Sequence, residues 1–295
     1  MRKVKGYLQL LRPANMVTSV ADVLAGIAIS GFLVEASFPF DFWVVTLLCL
    51  STLGLYGGGI AFNDIFDADL DRIERPERPI PSGLISLKEA IALASSFLIF
   101  GIFAAFLVNS ISGILAISIA LAALLYNKWG KHQTLIGPIN MGLCRGLNLL
   151  LGVSILPLAV SDFWFIALVP VIYISSITMI SRGEVHGSKR DSLYFAALLY
   201  MLVIGSILYF SFTRGMLSLT LLFIVPFAWM IFKPLVTAIM EPIGNNIGKA
   251  VKAGIIMLII MDASWAAASG ELLAASLIVL LLPISFWLSR LFAVT

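Results

Sequence analysis

Residues 42–62 read FWVVTLLCLSTLGLYGGGIAF, a run without a single charged side chain. The next ten, Asn63-Asp64-Ile65-Phe66-Asp67-Ala68-Asp69-Leu70-Asp71-Arg72, carry four aspartates. About 20 apolar residues suffice for a helix to cross the hydrocarbon core. The first stretch is therefore long enough to span a membrane, and the second marks where the chain leaves it. Working outward, runs of the same kind recur at 14–34, 89–109, 111–127, 136–158, 163–181, 192–212, 217–233, 248–268 and 271–291. The expected fold is all-α: a polytopic membrane helical bundle of nine to ten transmembrane helices, forming one integral-membrane domain over residues 1–295. The pairs 89–109/111–127 and 248–268/271–291 are nearly continuous, so each is either an αα hairpin or a single miscounted span.

Composition agrees. Hydrophobic residues make up 60% of the 295 and charged residues 12%, and mean hydropathy is +1.04. Soluble chains carry about twice that share of charge. A net charge of +3, with no basic stripe interleaved with aromatics, argues against nucleic-acid binding. Cys49 and Cys144 lie inside apolar runs and form neither a disulfide framework nor a metal spacing. The basic N-terminus lacks a small-residue cleavage site and is read as retained.

The Lys and Arg residues set the orientation. Arg2, Lys3, Lys5 and Arg12 precede the first span. Arg72, Arg75, Arg78, Lys88, Lys128, Lys131, Arg182, Lys189, Arg190, Lys233, Lys249, Lys252 and Arg290 follow even-numbered spans. Only Arg214 lies in an odd-numbered connection, and Arg145 lies within a span. The positive-inside rule then places both termini and the even-numbered loops in the cytoplasm. The expected location is the cell inner membrane, with the acidic stretch after the second span on the cytoplasmic face.

The acidic stretch carries chemistry. Continued as helix, it places Asn63, Asp64, Asp67 and Asp71 at i, i+1, i+4 and i+8, a column of oxygen ligands on one face. Stacked carboxylates repel unless a cation lies between them. Hard oxygens suit Mg²⁺, which usually completes its shell with water and phosphate. The bland alternative is a solvated acidic loop. Gly57-Gly58-Gly59 upstream permits a close backbone approach or a bend. Arg75, Arg78 and the turn Pro79-Ile80-Pro81-Ser82-Gly83 return cations to the aspartates, and arginines are suited to phosphate oxygens.

These residues resemble the first aspartate motif of the UbiA superfamily of intramembrane prenyltransferases: Asn63-Asp64-x-x-Asp67-x-x-x-Asp71, then Arg78-Pro79-Ile80-Pro81-Ser82-Gly83. Leu11-Arg12-Pro13-Ala14-Asn15 is similar to that family's entry into the first span, and Tyr126-Asn127-Lys128 to its close of the fourth. The resemblance implies a helical bundle of usually nine spans around a central cavity. It also implies Mg²⁺-dependent transfer of a prenyl group from a prenyl diphosphate to an often aromatic acceptor, with membrane lipid as surroundings. Asn63, Asp64, Asp67, Asp71 and Glu184 would be metal ligands, and Asp64, Asp67, Asp71 and Glu184 catalytic. Arg12, Asn15, Arg78, Lys128, Arg145, Arg182, His186 and Lys189 would bind substrate.

The second acidic motif departs from the family pattern. Gly183-Glu184 stands where Gly-Asp is expected, and Ile180 or Ser181 replaces the first aspartate. The run from Ser181 to Gly187 resembles the branch of the family named EboC. His186 reads equally as a surface residue or as a contact to substrate or metal shell. Asp22, Arg145 and Asp262 lie within spans, where charges usually face a cavity or each other. Arg145 with Asn140 and Asn148 at helical spacing forms either a polar cavity wall or one half of an Arg–Asp pair. The rival readings are a transporter of an amphipathic anion and a family member that binds prenyl lipid without turnover.

Overall fold

The computed structural model describes residues 2–35, 42–133, 136–184 and 187–291. An amphipathic helix α1 (Arg2–Leu11) precedes α2 (Pro13–Ser30), and a short α3 (Phe32–Glu35) ends that arm. Then come α4 (Phe42–Phe66), α5 (Ala68–Glu74), α6 (Leu87–Phe106), α7 (Ser110–Lys128) and α8 (Ile136–Val153). The next crossing is broken: α9 (Ala159–Phe163), a 3₁₀ turn (Trp164–Ala167) and α10 (Leu168–Ser181). The chain finishes with α11 (Arg190–Thr213), α12 (Leu217–Met240), α13 (Gly244–Ala268) and α14 (Leu272–Leu291). Among the described residues no strand occurs, and nine helical segments are long and apolar enough to cross a membrane, with Ala159–Ser181 counted as one.

Both nearly continuous pairs are αα hairpins. In the first, the Asn109 side chain accepts from Ser112 N–H (2.9 Å) to cap α7 and donates to the Ser154 carbonyl (2.8 Å). In the second, Gly270 adopts φ 91° and turns the chain back. Positive φ of this kind suits glycine. α14 then runs the height of the bundle, since Ser285 Oγ donates to the Ala14 carbonyl (3.1 Å) at the start of α2. α14 therefore forms a tenth segment, and the C-terminal end returns to the side where α1 lies. Two expected boundaries moved. The span read as 136–158 stops at Val153, and that read as 163–181 starts at Ala159. Apolarity continues through the connecting turn, so hydropathy alone does not mark it.

Small residues set the helix spacing, as is usual where lipid supplies no hydrophobic drive for association. A Cβ on Gly152 of α8 would lie 2.1 Å from the Val23 carbonyl of α2, and one on Gly26 would lie 2.1 Å from the Leu149 carbonyl. The Gly57-Gly58-Gly59 run serves close approach and not a bend. α4 passes through it unbroken, and a Cβ on Gly58 would meet the Ala94 carbonyl of α6 at 2.8 Å.

α1 packs under the acidic loop. Its Leu10 joins Ala68, Ile80, Ile85 and Ala90 in a small apolar cluster distinct from the main cores. Ser86 and Glu89 form a reciprocal cap at the start of α6, and Lys3 pairs with Glu89 (2.8 Å). The loop between α5 and α6 is thereby fixed above the end of α4.

Candidate active site

The aspartate column survives a break in the helix. α4 ends at Phe66 and α5 starts at Ala68, with Asp67 between them at φ −90°, ψ 0°. Asp67 N–H still donates to the Asn63 carbonyl (3.0 Å) and Asp71 N–H to the Asp67 carbonyl (2.8 Å). The i, i+4 spacing therefore carries across the break. Asp64 and Asp71 are buried. Asp69 points outward and pairs with Arg72 (2.8 Å).

Each inward aspartate meets a cation. Arg12 Nη2 donates to Asp64 Oδ1 (2.7 Å). Arg78 Nη1 donates to Asp71 Oδ2 (2.7 Å) and to Asp64 Oδ1 (3.4 Å). Lys131 forms an ion pair with Asp67 and donates to Asn63 Oδ1 (3.4 Å). Three carboxylates thus face three cations. Arg12 is, among the described residues, the only non-glycine with positive φ (47°). A left-handed backbone costs such a residue on the order of 1–2 kcal/mol. It sits where α1 meets Pro13, and this turn aims its guanidinium at Asp64. Arg75 is exposed and outside the cluster.

Beneath the column lies a cavity of ≈ 260 Å³ among α2, α4, α7 and α8. Arg12, Asn15 and Asn63 line one part of it; Leu55, Ile60 and Ile119 are apolar walls; Thr52, Arg145 and Asn148 line another part. Tyr126 and Asn127 also line it, and Asn127 Nδ2 donates to the Gly59 carbonyl (2.7 Å).

The polar wall is a buried network. Arg145 Nη1 donates to Asp22 Oδ2 (2.7 Å) and to the Thr18 carbonyl (3.1 Å), and Nη2 to Thr18 Oγ1 (2.6 Å). Asn148 Nδ2 donates to Asp22 Oδ2 (2.9 Å) and to the Ser19 carbonyl (2.8 Å), and its Oδ1 accepts from Thr52 (2.7 Å). Arg145 also stacks on Tyr56 (5.2 Å to the ring centre). The two readings of Arg145 are thus both true: it is a cavity wall and half of an ion pair. Asp262 is buried beside Asp22 and Arg145. Asn140 does not line the cavity; its amide lies against Ala122 and Tyr126 of α7.

Lys128 does not join the cluster. It is exposed, and its Nζ lies 4.4 Å from the centre of the Trp129 ring. Successive helical residues differ by about 100° in direction, so with Asn127 turned inward Lys128 turns away. The 3₁₀ turn Gly130–His132 brings Lys131 back instead. Sequence reasoning placed Lys131 in this loop without assigning it to the site. Its spacing from Lys128 was the available signal.

Arg182, Glu184 and Lys189 are exposed and do not line the cavity. Their loop is tied to the α12–α13 turn, with Ser188 N–H donating to the Pro242 carbonyl (3.3 Å). His186 lies outside the described residues.

Among the described residues no three His, Cys, Asp or Glu side chains converge as a ready metal cage. Mg²⁺ does not need one, since one or two carboxylates with phosphate and water complete its shell. The hard oxygens of Asn63, Asp64, Asp67 and Asp71, gathered beside the cavity, fit that requirement.

The model of the UbiA prenyltransferase family matches residues 24–184. The chain belongs to this family. The match contains the aspartate column, Arg78, Lys131, Arg145 and Glu184, and concerns the family as a whole; the EboC branch stays an expectation from the 181–187 run. The digeranylgeranylglyceryl phosphate synthase of Methanosarcina barkeri is 31% identical over 159 residues, 52% of this chain and 55% of that protein. The chain thus spans about half the length of that curated relative. A solved digeranylgeranylglyceryl phosphate synthase structure superposes with TM-score 0.69 at 26% identity, over 91% of this chain and 99% of the other. A UbiA homologue from Archaeoglobus fulgidus bound to GPP and Mg²⁺ shares the fold, with TM-score 0.61 at 16% identity over 86% and 99% of the two chains. An all-helical, multi-pass membrane protein of the UbiA family is therefore established.

Proposed function

We propose that this protein transfers a prenyl group from a prenyl diphosphate to an acceptor within the membrane, in a Mg²⁺-dependent reaction. The observation that carries the reading is the set of three carboxylates facing three cations beside a cavity with apolar and polar walls. Asn63, Asp64, Asp67 and Asp71 would hold Mg²⁺, and Arg12, Arg78 and Lys131 would turn from carboxylate to diphosphate oxygens. When bound, the metal neutralises charge on the leaving diphosphate. Arg78 and Lys131 add hydrogen bonds that strengthen as that charge develops. The apolar walls at Leu55, Ile60 and Ile119 keep water from the allylic carbon as its C–O bond breaks. Asn15, Arg145 and Asn148 orient the polar part of the acceptor. The names of the relatives favour a glyceryl phosphate lipid over an aromatic ring as that acceptor.

Arg182, Glu184, His186 and Lys189 contribute from the second loop, chiefly as phosphate contacts, because that loop holds one carboxylate among cations. The site faces the cytoplasm, on the charge bias of the loops, and the membrane is the cell inner membrane.

The test is pyrophosphate release by the purified protein from a panel of prenyl diphosphates, with and without Mg²⁺, alongside binding to Asp67→Asn. That variant should bind prenyl diphosphate more weakly in Mg²⁺ and almost unchanged in EDTA. An equal loss in both conditions would show that Asp67 is only structural.

A further inference from the structure

Outside the family-matched residues, α12, α13 and α14 border an open groove of ≈ 440 Å³. It shares no lining residue with the cavity under the aspartates. Trp229, Met230, Ile256, Met257 and Phe286 give it apolar walls, and Lys233, Lys249 and Lys252 edge it. All three lysines are exposed. Among the described residues none of them pairs with a carboxylate. Lys233 Nζ lies 6.0 Å from the centre of the Trp229 ring.

Position sharpens the picture. α12 ends and α13 begins at the end of the bundle that carries the aspartates, since the loop after α10 hydrogen-bonds to Pro242 between them. At 1.5 Å per residue, Lys249 and Lys252 stand roughly 8 and 12 Å inside the start of α13, and Lys233 about 10 Å inside the end of α12. Lysines within a turn or two of the end of a membrane helix extend their long side chains toward the polar boundary. Three like charges around one groove, with no carboxylate paired to them among the described residues, favour an anion between them. The same groove continues into apolar wall, where an acyl chain fits.

We propose that this groove binds an anionic phospholipid, its phosphodiester held by Lys233, Lys249 and Lys252 and an acyl chain lying against Trp229, Ile256 and Phe286. Basic pockets between transmembrane helices recognise anionic headgroups in this way. The occupant is a bilayer lipid and not the prenyl diphosphate, because the groove offers cations without the hard oxygen ligands that a magnesium diphosphate uses.

The full-length protein in mixed micelles is titrated with phosphatidylglycerol and with phosphatidylcholine of the same chains, and retained lipid is counted by native mass spectrometry. Wild type should retain phosphatidylglycerol preferentially. Replacing all three lysines by Gln should weaken retention by roughly fivefold per lysine, on the order of a hundredfold in all. Replacing them by Arg should preserve it. Photoactivatable phosphatidylglycerol should label wild type at peptides covering 229–257, an arm that needs no variant to fold. Equal retention of the two lipids, an unchanged Gln variant, labelling only elsewhere, or competitive displacement by geranyl diphosphate or inorganic phosphate would each overturn the assignment.

Discussion

Gly152→Ala tests whether the α2–α8 crossing sets the geometry of the candidate site. The added methyl would stand 2.1 Å from the Val23 carbonyl oxygen and 3.0 Å from the Gly26 Cα. A carbon meets a carbonyl oxygen comfortably at about 3.3 Å, so the helices must part by roughly 1 Å. The bonds that hold Asp22 of α2 to α8 cross this same interface. Arg145 reaches Asp22 at 2.7 Å and Asn148 reaches it at 2.9 Å. Stretched by the same amount, both pass beyond hydrogen-bonding range, which ends near 3.2 Å. Overpacking costs about 1–3 kcal/mol, and weakening a hydrogen bond to a buried charge adds about 1.5–3 kcal/mol. Alanine returns up to about 1 kcal/mol of helix propensity. The net expectation is a loss of about 2–4 kcal/mol, with reduced pyrophosphate release from a displaced Arg145. Gly205→Ala is the control, because a methyl there meets nothing within 4 Å. Thermal unfolding of both variants in matched micelles provides the measurement. If Gly152→Ala unfolds within about one degree of wild type and keeps its activity, or if Gly205→Ala loses as much, the argument from helix spacing fails.

Two further predictions concern the cations and the orientation. Lys131→Met should raise the Kd for prenyl diphosphate by roughly 10- to 100-fold, the loss of one hydrogen bond between charged groups, whereas Lys128→Met should stay within about twofold; equilibrium binding in Mg²⁺ compares them. In a background lacking Cys49 and Cys144, a cysteine at position 75 should resist an impermeant thiol reagent applied outside intact cells and one at 214 should react, and the reverse pattern would invert the topology.

Properties set by short stretches were readable along the chain. Span existence follows from apolar run length. The aspartate column follows from i, i+4 spacing within a dozen residues, and it holds across the break at Asp67 because the backbone bonds from Asn63 to Asp71 preserve the helical step. The positions of the counter-charges were not readable in this way. Arg12 reaches Asp64 across 52 residues and Arg145 reaches Asp22 across 123, joined by helix packing that small residues permit. Lys131 and not Lys128 meets Asp67, because α7 ends one residue past the inward-facing Asn127 and a 3₁₀ turn follows. The lysine groove likewise exists only where α12, α13 and α14 meet. Local pattern determines which segments enter the membrane and which side chains share a helix face; which charges then meet is decided by the packing of helices distant in sequence, because lipid leaves a buried charge few partners other than those that neighbouring helices bring.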